Sequence, residues 1–233
     1  MGEIMEDNPA FLIMYDFAKQ NFCKVAVDIG TFTGMGSLRA MINGFLQKKD
    51  RSNLKIYSFE SNKERAIEAL QHYKSGPFDM SFLEVHIGKI SENGFLTIEQ
   101  AMKHPNYEGI KGLMGFHPEE KAVYDLAPYV GDVLPYSIDL VCMDGGEFSS
   151  PGDWATIKPK FPKMIVLDDI FVFKNFFIHE ELQKNPLYNC IFMAPIRNGI
   201  SIFLRNDVDY KIPSTVTSKP YCYINYPLVW EQV

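Results

Sequence analysis

The chain has 233 residues and a formal charge of −6, from 23 basic and 29 acidic side chains. That length suits one domain with one large core, so a single domain over 1–233 is expected: an N-terminal helical segment to residue 23, a core over 25–205 and a tail over 206–233. The acidic balance, with no basic run, argues against a nucleic-acid partner held through its phosphates, and no apolar run reaches the roughly 18 residues of a membrane span. Cys23, Cys142, Cys190 and Cys222 are widely spaced with no metal-ligand pairing, and the opening MGEIMEDNPA is acidic where a secretory signal is basic. A reduced, cytoplasmic protein is the expectation.

In chain order, Asn8 and Pro9 read as a helix start, and Phe11, Leu12, Met14, Tyr15 and Phe17 give an apolar face for the core or for a ligand pocket. Lys24 to Leu38, KVAVDIGTFTGMGSL, changes character at Asp28: the run Val25–Val27 predicts a buried parallel strand, and Gly30, Gly34 and Gly36 a tight turn into a helix over Ser37–Gln47. Strand, glycine turn and helix in that order make a ligand cradle, because glycine lets backbone N–H groups approach a bound molecule. Asp28 stands at the expected strand exit, able to fix a cationic or hydroxyl-bearing part of the ligand, with Thr31 and Ser37 alongside. The spacing Asp-x-Gly-x-x-x-Gly-x-Gly differs from the dinucleotide fingerprint Gly-x-Gly-x-x-Gly.

Leu54–Phe59 predicts the second strand, ending at Glu60 and Ser61. A carboxylate there can accept bonds from both ribose hydroxyls of a nucleoside, or it can serve as an N-terminal charge for a helix over Asn62–Tyr73. Phe82–Ile87 predicts the third strand, with His86 structural and Gly88, Lys89 and Ile90 following. Residues 91–136 exceed what one connecting helix needs; they offer helices at Leu96–Lys103 and Glu119–Leu126 and suit a substrate-side lid or an oligomer contact. Ile138–Met143 delivers Asp144, two glycines and Glu147, and MIVLDDIFVFK delivers Asp168 and Asp169 together, then Lys174. A helix over Phe176–Lys184, strands Tyr188–Ala194 and Gly199–Arg205 forming a hairpin, and a tail rich in Pro and Tyr complete the chain. The tail's aromatics could pack on the body, cap a pocket or meet a second subunit.

The glycine motif resembles the first motif of class I S-adenosylmethionine-dependent methyltransferases. The later motifs resemble the metal-dependent O-methyltransferases of the catechol type and, more closely, those that methylate macrolide sugars. The resemblance implies a Rossmann-like α/β fold: a seven-stranded, mostly parallel sheet with an antiparallel last strand and helices on both faces. It implies S-adenosylmethionine held by Asp28, Gly30, Thr31, Gly34, Gly36, Ser37, Glu60, Ser61, Gly88, Lys89, Ile90 and Asp144, with Gly88–Ile90 near the adenine. It also implies Asp144, Asp168 and Asp169 as metal ligands; like charges so close need compensation, and Mg²⁺ suits oxygen donors.

Those families place a Lys or a His as general base three residues after the fourth-strand Asp, where this chain has Glu147. A metal-bound hydroxyl or a raised carboxyl pKa would let Glu147 act; otherwise Lys174 or His179 would substitute. The expected reaction is methyl transfer to a hydroxyl of a sugar or other polyhydroxylated small molecule, by a protein that could form a homo-oligomer. Three other readings stay open: N-methylation or metal-free chemistry, a non-catalytic nucleoside-binding subunit, and turn or cap chemistry for the DGGEF and LDD segments.

Overall fold

The computed structural model describes residue 4 and residues 6–74 and 79–217. Asn8 caps the first helix, its Oδ1 accepting from the Ala10 N–H at 2.9 Å, and Pro9 opens α1, Pro9–Lys19. The strands are β1 Val25–Ile29, β2 Lys55–Glu60, β3 Leu83–Ile87, β4 Leu140–Met143, β5 Met164–Asp168, β6 Tyr188–Ala194 and β7 Ile200–Arg205. Between them run α2 Ser37–Leu46, α3 Lys63–Lys74, the short α4 Ile98–Ala101 and α5 Tyr107–Ile110, then α6 His117–Leu126, α7 Ser150–Ile157 and α8 Phe176–Gln183; α9, Ser214–Thr217, follows the last strand.

The seven strands form one sheet in the order β3-β2-β1-β4-β5-β7-β6. The first five are mutually parallel, and β7 is antiparallel to both β5 and β6. This is the Rossmann-like methyltransferase fold that the motifs imply. Period-two alternation divides the core. Ala26, Ile56, Leu140 and Val166 pack under α1 and α2 on one face, and Val27, Val141, Ile165 and Phe203 pack under α7 and α8 on the other.

The α1 face serves the core. Its Ile13, Met14 and Phe17 are fully buried, and Gly44 of α2 lets the two helices close up, since a Cβ there would lie 2.6 Å from the Tyr15 carbonyl oxygen. From the extra length of 91–136, Leu96 and Ala101 pack against Phe148 and Phe173 in a third, smaller core. Thr97 and Gln100 close a capping box at the start of α4, and Lys111–Phe116 is a 3₁₀ turn leading into α6. At the start of the tail, Tyr210 packs edge-on against Phe17 with centroids 5.0 Å apart. The expectations for Cys222 and for the tail's other tyrosines, with Trp230, lie outside the described residues.

Two histidines are held neutral by burial. His179 joins α8 to the sheet, its Nδ1 sharing a hydrogen bond of 3.0 Å with Ser201 Oγ and its Nε2 one of 2.9 Å with Gln183. Burial pushes it down to about 4 from an ordinary 6.5, and burial pushes His104 down to about 4 as well. A depressed histidine binds fewer protons folded than unfolded, so its contribution is complete above about pH 6.5 and is lost as pH falls towards 4. Asp153, pushed up to about 7 by burial, acts in the opposite sense, so a difference between variants isolates the histidine. The melting temperature of the wild type is expected to fall more steeply than that of His179→Asn between pH 6.5 and 4; parallel curves in calorimetry across that window refute the assignment.

Candidate functional site

The strand order reverses between β1 and β4, and a cavity of about 330 Å³ opens there, at the carboxyl ends of β1, β2, β3 and β4. Residues of α6, Glu119, Glu120, Val123 and Tyr124, form its roof. Gly30 forms part of the wall with φ +89°; a Cβ there would fall 2.1 Å from the Asp144 carbonyl oxygen, so only glycine brings the β1 turn against the end of β4. Its N–H donates to the Phe59 carbonyl at 2.9 Å.

Glu60 ends β2 and faces the cavity, its carboxylate fixed by the Phe32 N–H at 3.0 Å and the Asn62 N–H at 2.8 Å. Ser61, Gly88, Lys89 and Ile90 also line the space. The Lys89 Nζ donates to the Tyr124 carbonyl at 2.8 Å and lies over the Tyr124 ring, which fastens α6 to the end of β3.

The rest of the glycine motif supports the wall from behind. β1 runs one residue past the expected exit, so Asp28 lies inside the strand, fully buried, with its carboxylate accepting from Ser37 Oγ at 2.5 Å and Ser58 Oγ at 2.7 Å. Its hydroxyl-bearing partners are the protein's own, and this corrects the expectation that it would reach a ligand. Ser58 Oγ in turn bonds Thr31 Oγ1 at 2.6 Å, and the Tyr73 hydroxyl donates to the Gly34 carbonyl. Thr31, Gly34, Gly36 and Ser37 are absent from the cavity lining. They shape the turn that presents Gly30 and Phe32.

The three aspartates meet as expected: one carboxylate oxygen each from Asp144, Asp168 and Asp169 lies within 4.8 Å of the others. The donor chemistry suits a hard divalent ion. The space among them does not. Lys174 Nζ sits 2.8 Å from Asp144 Oδ1 and 2.8 Å from Asp169 Oδ2, and Arg197 Nη1 lies 2.8 Å from Asp168 Oδ2. Asp168 Oδ1 and Oδ2 and Asp169 Oδ2 are buried without a hydrogen-bond partner, but both cations would have to withdraw before a divalent ion could bridge these oxygens, so as arranged the space is held by Lys174 and Arg197.

Lys174 is also no base. Burial alone would lower its pKa, but Asp144, Asp169 and Asp168 outweigh burial and push it well up, so the ammonium persists. That corrects its expected role as a substitute for Glu147. His179 is excluded differently, by its place beneath α8 against Phe203, away from the cavity lining. Burial and the neighbouring Asp144 and Asp169 raise Asp168; in Asp169, Lys174 and Arg197 overcome burial and lower it.

Glu147 lines the cavity, buried, with Oε1 accepting the Lys174 backbone N–H at 3.1 Å. Burial pushes its carboxyl up to about 7, against the pull of Lys174. That is the raised value a glutamate needs to accept a proton near neutrality.

Sequence reading missed Glu120 and Arg197. Glu119-Glu120-Lys121 looks like the solvated start of a helix, yet the Glu120 carboxylate accepts three backbone N–H groups, from Glu147 at 2.9 Å, Phe148 at 2.7 Å and Ser149 at 3.1 Å. Burial raises Glu120, and these three donors oppose it. Arg197 sits in the Arg197-Asn198-Gly199 turn between β6 and β7, where the sequence signals only a hairpin. Three of the four described non-glycine residues with positive φ are Phe32 and Arg197 of the cavity lining and Asp169 of the acidic cluster. Backbone strain concentrated in that way is characteristic of functional sites.

No family model and no curated protein matches the chain. Solved structures do. An S-adenosylhomocysteine-bound methyltransferase from Podospora anserina aligns with TM-score 0.52 and 14% identity over 83% of this chain and 76% of that one. A methyltransferase from Geobacter sulfurreducens aligns with TM-score 0.51 and 11% identity over 87% and 80% of the two chains. A Corynebacterium glutamicum protein aligns with TM-score 0.58 and 10% identity over 91% and 86%. At these identities the likeness defines the fold, the Rossmann-like fold of class I methyltransferases.

The Glu120 contacts generate a direct test. Removing the carboxylate in Glu120→Ala is expected to speed amide exchange at residues 147–149 by about 10- to 100-fold, the equivalent of a lost charge-assisted bond. Unchanged protection there by hydrogen exchange would show that α6 does not hold the loop.

Proposed function

We propose that this protein transfers a methyl group from S-adenosylmethionine to a hydroxyl of a small polar acceptor, such as a sugar or other polyhydroxylated molecule. The observation that carries the reading is the seating of two carboxylates, Glu60 and Glu147, on one cavity at the switch point of a class I methyltransferase sheet. The residues fit the cofactor. Glu60 keeps acceptor capacity for a diol beyond the two N–H groups that fix it.

The bound cofactor supplies an electrophilic methyl group on a sulfonium centre. The chain's own work is to position and activate the acceptor. Glu147 is the base that would take the acceptor's hydroxyl proton, and the cofactor, held by Glu60, would supply the methyl group and leave as S-adenosylhomocysteine. The sugar-like character of the acceptor is supported by the macrolide-type resemblance and by the charged lining of Glu119, Glu147, Lys174 and Arg197.

Calorimetry with S-adenosylhomocysteine, paired with methyl transfer to a panel of polyols and glycosides, tests this. Glu60→Ala is expected to weaken nucleoside binding by about 10- to 100-fold, the worth of a hydrogen bond to a charged group. Glu147→Gln is expected to keep that binding and lose roughly 100- to 10,000-fold in turnover. Binding in the wild type with no product from any hydroxyl or amine acceptor would favour a nucleoside-binding subunit instead.

A further inference from the structure

We propose that the Lys174 ammonium is the resident cation of the acidic site, occupying the seat that a divalent metal fills in the O-methyltransferases this chain resembles, and that it offers an N–H to the acceptor oxygen. The inference rests on the methyl-transfer reading for the acceptor, but the cation seat itself stands on geometry alone. Asp144 comes from the end of β4 and Asp169 from just past β5, and Lys174 Nζ is 2.8 Å from each. The lysine side chain is 4% exposed, so the ion pair is not a solvated surface contact. Its position is fixed at the backbone as well, through the N–H given to Glu147, the proposed base.

The third carboxylate, Asp168, forms an ion pair with Arg197 at 2.8 Å, while neither of its buried oxygens accepts a hydrogen bond. Two cations from two different loops therefore answer the aspartates without an ion from solution. An ammonium has three donors. One is given to Asp144, and the ammonium also lies 2.8 Å from Asp169 Oδ2 as an ion pair, on a side chain that lines the cavity beside Glu147. A hydroxyl placed there would meet a fixed positive charge on one side and a proton acceptor on the other, the two things that a metal and its neighbouring base provide elsewhere.

Charge balance makes the claim testable. Removing Lys174 leaves buried carboxylates short of a partner, which is strongly unfavourable until another cation arrives. Mn²⁺ binding by electron paramagnetic resonance is expected to detect no site in the wild type at millimolar ion, and one site in Lys174→Met that disappears again in the double variant with Asp169→Asn. The melting temperature of Lys174→Met is expected to rise with Mg²⁺ while that of the wild type stays flat. If Lys174→Met fails to fold, the wild-type titration decides alone: one Mn²⁺ bound, displaced by Mg²⁺ and lost in Asp169→Asn, overturns the proposal. Calorimetry with S-adenosylhomocysteine on the same wild-type sample separates the two readings, because absent nucleoside binding defeats the methyltransferase assignment and leaves the Mn²⁺ result intact. For an acceptor found active, turnover unchanged by a chelator supports the ammonium, and loss of turnover on chelation refutes it.

Discussion

Everything at this site follows from placing four carboxylates where two parallel strands end side by side. β4 and β5 are neighbours, so Asp144, Asp168 and Asp169 cannot avoid one another, and Glu147 enters the same space from the turn after β4. Buried like charges have two remedies, protonation or an answering cation. The protein uses both. Lys174 and Arg197 supply positive charge, while burial raises Glu147 and Asp168 towards the neutral form. The segment between β5 and α8 is thereby tied down, since it carries Lys174, and so is the hairpin turn that carries Arg197.

The second constraint is steric. β1 and β4 are adjacent, yet their outgoing chains leave towards opposite faces of the sheet, one to α2 and the other to α7. Gly30 lets the two exits pass in near contact, and the cavity is the space this divergence leaves. Fold and site are one consequence of the strand order, which is why so distant a sequence still matches solved methyltransferase structures in outline.

How much of this was legible depended on the range of the interaction. The seven strands, α1 with its Asn8 cap, and the acidic residues at strand ends were readable because apolar periodicity and capping are local patterns. Asp28 was misplaced because the strand runs on through Ile29, leaving Asp28 inside it with a carboxylate bonded to Ser37 and Ser58, partners that no local pattern signals. Glu120 and Arg197 were invisible because their partners are distant in sequence: Glu120 meets N–H groups more than twenty residues onward, and Arg197 crosses from one hairpin to another strand's end. The aspartates were found in sequence, but their ammonium partner was assigned another role. An LDD motif announces negative charge and says nothing about which cation answers it.

The Glu120 carboxylate has one more implication. It grips the backbone of the same turn that aims Glu147, while Lys89 binds the far end of that helix to β3. Swinging the roof outward to admit a bulky guest would release the turn beneath it, so the doorway and the posture of the base share one hinge. A reshaped entrance built by trimming α6 would thus disturb proton acceptance even with every cavity-floor residue untouched.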